Sequence, residues 1–386
     1  MEDYRVNFLE KWQSNEQYFD MLVLLSSLSN LFSDKSVPYL DYRVAENLFC
    51  KYFNAINDAR SCTAYDARLG TLGIGIKTFG IKKTSTEKIA EFDRLKPQLD
   101  ALSGKSLAVQ LAQFRNERID FANNTFDVSD SIYHIVGRCD GGLKIFNTSY
   151  DKIDIDDIHE VKDKEKSLSF VSGGEFYNFN KSKSVLMKRF FLPKEYKYVP
   201  VEILEDPLQL LSELLRKQTK ELKKACLQKG VDYVVLPLYS TQKGITVPEK
   251  SGLNQWNASG RKRDENEIYI PVPAKIHKEY PDFFPTKDEP FELQLPHGES
   301  LSAKICQQGG KALMSNPNSA LGEWILRKVL KKKPGELVTM EDLNRFGVDS
   351  VYIEKKHRKN DSGCEVFSIS FTTSTYESYQ NFFEED

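Results

Sequence analysis

Cysteine is scarce in this sequence, and what there is of it is unpaired. The six residues (Cys50, Cys62, Cys139, Cys226, Cys306 and Cys364) stand singly along 386 positions. No Cys-x-x-Cys pair or Cys/His spacing suggests zinc, and a disulfide framework is not expected in so long a chain. No apolar run approaches the roughly 18 residues that a membrane span needs. The opening MEDYRVNFLEKWQ carries acidic residues and lacks the basic-then-apolar order of a signal peptide. A reducing, cytoplasmic setting away from membranes is the expectation. An excess of one charge is missing too. Fifty-four Lys+Arg against 56 Asp+Glu leave a net −2, which does not advertise a nucleic-acid partner. Without Gly-x-Ser-x-Gly or Gly-x₄-Gly-Lys-Ser/Thr, neither a nucleophile-elbow hydrolase nor a P-loop NTPase has support.

What is present allows ordinary packed cores: 40% of residues are hydrophobic and 12% aromatic. The length favours two domains, with three as the alternative. Charge is unevenly spread, with 20 Lys+Arg against 16 Asp+Glu from Lys243 to Lys359. The clusters Arg261–Arg263, Lys331–Lys333 and Lys355–Lys359 lie there. Such clusters can neutralise phosphates, or they can be solvated loop charges.

Apolar spacing predicts helices over Asn15–Phe32 and Tyr42–Asn54. A hairpin turned at Arg68–Thr71 follows, then a helix over Thr84–Asp93 opened by a Thr84/Glu87 capping box. Lys105–Asn116 reads as helix. Short alternating strands come next, at Ile132–Val136, Leu143–Phe146, Ser167–Val171 and Phe176–Phe179. Asp206–Pro207 opens a helix with a leucine stripe reaching Lys229, read as the junction between domains, its stripe packing on its own chain or in a dimer seam. Beyond it lie short strands and two brief helices, Trp324–Leu330 and Met340–Phe346. The fold class expected is an α/β core, a mixed sheet flanked by helices, plus a C-terminal all-β pseudobarrel with short helices. The corresponding boundaries are 1–205, a connecting helix at 206–230, and 231–386.

The stretch CTAYDARLGTLGIGIKTFGIKKTSTEKIAEF carries the most chemistry. It sets Asp66 near Lys77, which lies in an otherwise apolar or glycine strand, where a charge is costly unless used or paired. Gly73 and Gly75 leave space beside it, as where a backbone or a phosphate comes close. Glu91 is expected on the following helix. Two carboxylates and an ammonium would suit Mg²⁺, with Asp66 and Glu91 as ligands and Lys77 orienting a water or offsetting charge. The alternative is a buried Asp66–Lys77 salt bridge.

Asp66, Lys77 and Glu91 resemble the PD-(D/E)xK nuclease superfamily. The position two before the lysine is Gly75, so this chain looks like the restriction-endonuclease variant whose carboxylate has migrated to the next helix. Glu91 is the first choice for that carboxylate and Glu87 the alternative. Glu46 resembles the extra acidic residue that many of these nucleases place beside the metal; otherwise it is an exposed helix glutamate.

The C-terminal half carries a second resemblance, from about Val235 to Phe371. GLNQWNASGRKRDENEIYIPVP and the run Ala303-Lys304-Ile305 … Lys311-Ala312-Leu313-Met314-Ser315-Asn316-Pro317-Asn318 … Gly322-x-Trp324 are similar to the B-three-type DNA-recognition barrel. Plant transcription factors and several restriction endonucleases use that fold. The resemblance implies two arms gripping the major groove. Asn254, Gln255, Trp256, Asn257, Arg261 and Arg263 would lie on the first, and Lys311, Ser315, Asn316 and Asn318 on the second. Two polar glycine-rich loops are the plainer alternative. Some enzymes with this barrel use a phospholipase-D-like nuclease built on His-x-Lys-x₄-Asp. Here the only His-x-Lys is His357-Arg358-Lys359, and the required Asp position is Cys364. Together the resemblances imply a type II restriction endonuclease, Mg²⁺-dependent and acting on double-stranded DNA. They also imply a homodimer and a cognate DNA methyltransferase for the same site. The rival is a non-catalytic, sequence-specific DNA-binding regulator with a decayed nuclease core. A methylation-dependent nuclease would need a flipped-base pocket that no loop identifies.

Overall fold

A computed structural model of the protein describes residues 3–59, 64–212, 233–241 and 244–374. These residues form two compact units. The first runs to Asn116 and resumes at Val128; the second takes Glu117–Asp127 and the described residues from Tyr233 onward.

In chain order the first unit contains α1 (Tyr4–Lys11), α2 (Glu16–Ser27), α3 (Tyr42–Phe53), β1 (Ile56–Asn57), β2 (Ala67–Leu69), β3 (Leu72–Gly80) and β4 (Thr84–Glu91). Then come α4 (Lys96–Asp100), the first half of α5 (Gly104–Phe126), β5 (Asp130–Cys139), β6 (Gly142–Ser149), β7 (His159–Asp163), β8 (Ser167–Ser172), β9 (Glu175–Asn180), β10 (Val185–Phe191) and β11 (Lys197–Pro200). One sheet is mixed, in the order β1-β2-β3-β5-β6-β11, with β3 and β5 parallel. The other is antiparallel, β4-β10-β9-β8-β7. Strand β3 shows why the first sheet folds as it does. Leu72, Ile74 and Ile76 alternate into a core shared with Phe8, Tyr18, Leu48 and Phe49 of the helices. The intervening Gly73 and Gly75 face tyrosines instead.

The helix expected over Thr84–Asp93 is a strand. Thr84, Thr86 and Ile89 favour extended backbone, and β4 pairs with β10 along its whole length, with a bulge opposite Leu186/Met187. Ser85 donates to Glu87, so the expected capping box is not used. Of the connecting helix expected at 206–230, residues 207–212 are helical and the Asp206 carboxylate accepts from Gln209 N at 3.1 Å. Residues 213–230 lie outside the described residues.

The second unit contains β12 (Tyr233–Pro237), β13 (Ile270–Pro271), α6 (Ala274–Glu279), β14 (Pro290–Gln294), β15 (Ser300–Cys306), β16 (Ala312–Asn316), α7 (Ala320–Gly322) running into π-helical turns at Glu323–Val329, α8 (Met340–Phe346), β17 (Ser350–Lys359) and β18 (Glu365–Thr372). Its seven strands run β12-β17-β18-β14-β15-β16-β13, a sheet curled into a half-barrel whose end strands approach each other. Phe291, Phe367, Ile353, Trp324 and Leu326 fill the inside. Phe121, on the second half of α5, belongs to this core: it stacks on Phe346 at 4.7 Å and meets Phe371 edge-on. Glu117 pairs with Arg345 in the same place. A barrel beginning near residue 231 would therefore lack part of its own core. Among the described residues no helix is long and apolar enough to cross a membrane.

Candidate active site and recognition face

Helix α3 buries Ala45, Leu48, Phe49 and Cys50, and the same face carries Glu46, only 4% exposed. Asp41 caps the helix through Arg43 N, and the Arg43 guanidinium reaches Glu46 Oε2 at 2.9 Å. Asp66 stands one residue before β2. Its N–H donates to Ile74 O, and its Oδ2 accepts the N–H of Ile76 at 2.7 Å. The carboxylate thus extends the β2–β3 ladder by one step and is fixed by the hairpin register, next to Lys77. Among the described residues, the Asp66 carboxylate is held by this backbone N–H, and no ion pair joins it to the Lys77 ammonium.

Electrostatics ties these residues together. The Glu46 carboxyl is pushed up to about 7, by burial first and then by Asp66, against the pull of Arg43 and Lys77. The Cys50 thiol, one turn along α3, is pushed up to about 12 by burial and by the carboxylates of Asp58, Glu46 and Asp66. Asp58 is offset by a buried partner, Arg68. Glu46, Asp66 and Lys77 therefore share one electrostatic neighbourhood, with Glu46 buried and Asp66 and Lys77 half-buried.

Glu91 does not occupy the helical position expected of it. Lying on β4 past the bulge, it is about half exposed and held by the Lys88 ammonium at 2.9 Å. The bulge sets residues 88 and 91 on one side of the strand, which is why they meet. Glu87 receives a hydrogen bond from Ser85 and lies in the field of Arg138. The space beside Gly73 and Gly75 is filled by rings, not left for a phosphate. An added Cβ would come within 2.8 Å of Tyr65 at Gly73 and 2.6 Å of Tyr150 at Gly75. Behind those rings sits Arg115, 4.6 Å over Tyr150 and bonded to the Tyr133 hydroxyl. Tyr150 in turn donates to Ala64 O, two residues before Asp66. Among the described residues no three His, Cys, Asp or Glu side chains form a metal cage. Two carboxylates with a lysine nevertheless suit a hard cation that keeps most of its waters.

In the second unit the structure divides the expected DNA-contact residues into two groups. Asn254 is fully buried, donating to Pro248 O and Val338 O and accepting from Val338 N. Ser315, on β16, is also fully buried, donating to Pro317 O and accepting from Leu321 N. Trp256 packs against the barrel core. Asn254 and Ser315 hold the loops in shape, because polar groups inside a barrel must be satisfied locally, whereas the buried Trp256 Nε1 has no hydrogen-bond partner among the described residues. Arg263 is 14% exposed and donates to the carbonyls of Ala258, Ser259 and Arg261. Asn257, Arg261, Lys311, Asn316 and Asn318 are exposed, Gln255 intermediate. Lys332 is enclosed by Glu336 and Asp342 at 3.0 and 2.9 Å, so the 331–333 cluster is partly spent on the fold.

Sequence reasoning missed Glu267. It is 3% exposed and binds both Arg261 and Arg263. Its four-residue spacing from Arg263 was the available signal.

Residues 229–357 match the family of the NgoFVII C-terminal B3-like DNA-binding domain. That is a restriction-enzyme domain, and the matched segment covers most of the curled sheet. No curated protein sequence matches the chain.

Proposed function

We propose that the chain is a type II restriction endonuclease, a Mg²⁺-dependent enzyme that hydrolyses phosphodiester bonds in double-stranded DNA at a specific sequence. The match of 229–357 to a restriction-enzyme DNA-binding domain supports the recognition half. A single observation carries the catalytic half: a buried Glu46, with its carboxyl pushed up to about 7, sharing the field of Asp66 and Lys77. Perturbed carboxylates beside a lysine mark places where charge is put to use.

In this reading Asp66 and Glu46 hold the cation, and Asp66 is the better fixed because the hairpin ladder positions it. Glu91, the ligand expected from sequence, would have to leave Lys88 to take part. When bound, Mg²⁺ supplies a more acidic water and offsets charge on the phosphate. Lys77 orients the attacking water and stabilises the negative charge that builds on the phosphoryl oxygens. Arg43 keeps the Glu46 carboxylate turned inward. Phosphate contacts position the DNA while exposed side chains of the second unit read base edges.

One observation favours a second reading, a non-catalytic regulator. The position where a second strand carboxylate would stand is Gly75, and Tyr133 and Tyr150 fill the space beside it. Digestion of unmethylated genomic DNA, with and without Mg²⁺, followed by sequencing of the ends, separates the two. Metal-dependent ends at one short sequence support the nuclease; tight specific binding with no ends supports the regulator.

A further inference from the structure

The two arginines of the 252–263 arm converge on one buried oxygen, yet their surroundings differ. Arg261 Nη2 donates to Glu267 Oε1 at 2.5 Å, its Nη1 reaches Lys262 O at 3.3 Å, and 56% of the side chain remains exposed. Arg263 Nε lies 3.6 Å from the same oxygen, but this side chain is 14% exposed and its Nη1 holds three loop carbonyls. The arm thus presents one guanidinium outward and keeps the other for itself.

Glu267 is anchored from behind. Its N–H donates to Asp264 O, and the neighbouring Glu265 and Asn266 are held by Arg327, through Nη2 to Glu265 O at 2.8 Å and Nε to Asn266 Oδ1 at 2.7 Å. Gly322 lets this segment sit directly on α7, since a Cβ there would lie 1.9 Å from Asn266 O. The carboxylate that meets Arg261 is therefore mounted on a rigid piece of the barrel. A guanidinium gripped by one N–H on such a mount loses little further freedom when it binds, which is how pre-organisation improves selectivity.

We infer that Arg261 is the specificity-determining arginine of this arm, reading the paired acceptors of a guanine, and that Glu267 is its positioning residue, while Arg263 only holds the loop. A guanidinium carries five N–H donors, so two can be spent, on Glu267 and on Lys262 O, while two of the remaining three face the base. This rests on the reading of the second unit as a sequence-specific DNA-binding domain.

The test uses the full chain in EDTA, so that no cutting intervenes. Duplexes selected from random sequence by the wild-type protein give the preferred site and its single-base variants. Glu267→Gln keeps size and shape, and we expect it to lower discrimination at one base pair by about tenfold or more. Affinity for a scrambled duplex should stay within about twofold, because no phosphate contact is lost. Arg261→Ala should lose discrimination at the same base pair, and the double variant should lose no more than either single one. Arg261→Lys, which keeps the charge but not the fork, should behave like Arg261→Ala; it decides the matter alone should Glu267→Gln fail to fold by circular dichroism. The inference is overturned if Glu267→Gln or Arg261→Lys discriminates like wild type. It is equally overturned if Glu267→Gln weakens binding to every duplex alike, or if the two sites affect different base pairs. A wild-type protein that selects no sequence sinks the DNA-recognition reading itself, a failure visible before any substitution is made.

Discussion

The two units differ in how the polar groups of their candidate sites are satisfied. In the barrel, Asn254 is satisfied by three backbone partners, Ser315 by two and Lys332 by two carboxylates, while Gln255 Oε1 and Trp256 Nε1 are buried without a hydrogen bond among the described residues. In the first unit Glu46 lies buried close to another carboxylate, and its proton affinity rises to about 7. Loops that must hold a shape use up most of their polar groups. Two carboxylates left close together keep a repulsion that a bound cation would relieve, the behaviour expected of the proposed cation site.

The comparison can be broken most sharply at Asp66. Asp66→Ala should reduce Mg²⁺-dependent cleavage by about a thousandfold or more, as losing a preorganised charge at a reacting phosphate does. Specific binding in EDTA should stay near wild type, since base reading is assigned to the other unit. Equal loss of binding and cleavage would make Asp66 a structural residue.

Asn254→Ala should do the reverse. It strands two buried carbonyls and one N–H, so urea unfolding should show a loss of about 2–4 kcal/mol. The base preference of whatever folded protein remains should be unchanged; an altered preference at full stability would return Asn254 to the recognition face. Phe121→Ala should cost about 3 kcal/mol through the cavity left between Phe346 and Phe371. A barrel fragment starting near residue 231 should melt below the same barrel in the intact chain for the same reason.

The pH dependence sharpens the contrast from the first unit alone. His134 is fully buried between Tyr18 and Asn147, and burial pulls its imidazole down to about 4. Between that value and the ordinary 6.5 the unfolded chain binds more protons, so this residue's contribution to stability falls as pH drops through the window. Glu46 acts the other way. Its folded carboxyl holds a proton up to about 7 against 4.5 unfolded, so its contribution falls as pH rises through that window. In the wild type the two slopes oppose each other. In Glu46→Gln the His134 slope should emerge, with the melting temperature climbing between about pH 4.5 and 6.5 more steeply than in wild type.

Much of this was legible in the sequence. The amphipathic helix carrying Glu46, the hairpin setting Asp66 beside Lys77, and most barrel strands follow from apolar period and turn residues. Thr84–Glu91 was not legible, because a Thr-x-x-Glu capping pattern and a β-branched strand look alike over eight residues, and only pairing with β10 decides between them. The glycines of β3 truly signal close approach, but a sequence does not say whether a phosphate or a tyrosine ring comes close. Nor does it separate arm residues that face solvent from those turned inward: Asn254 and Asn257 are three residues apart, one fully buried and one exposed.

The most direct measurement takes Glu46→Gln and follows thermal stability at pH 8 and Mg²⁺-dependent cleavage on the same preparation. Removing a buried charge that is repelled by Asp66 should stabilise the protein by about 1–3 kcal/mol while cleavage falls by about a hundredfold or more. Stability and activity falling together would show Glu46 to be an ordinary buried partner of Arg43, and would contradict the assignment of a cation site at Glu46, Asp66 and Lys77.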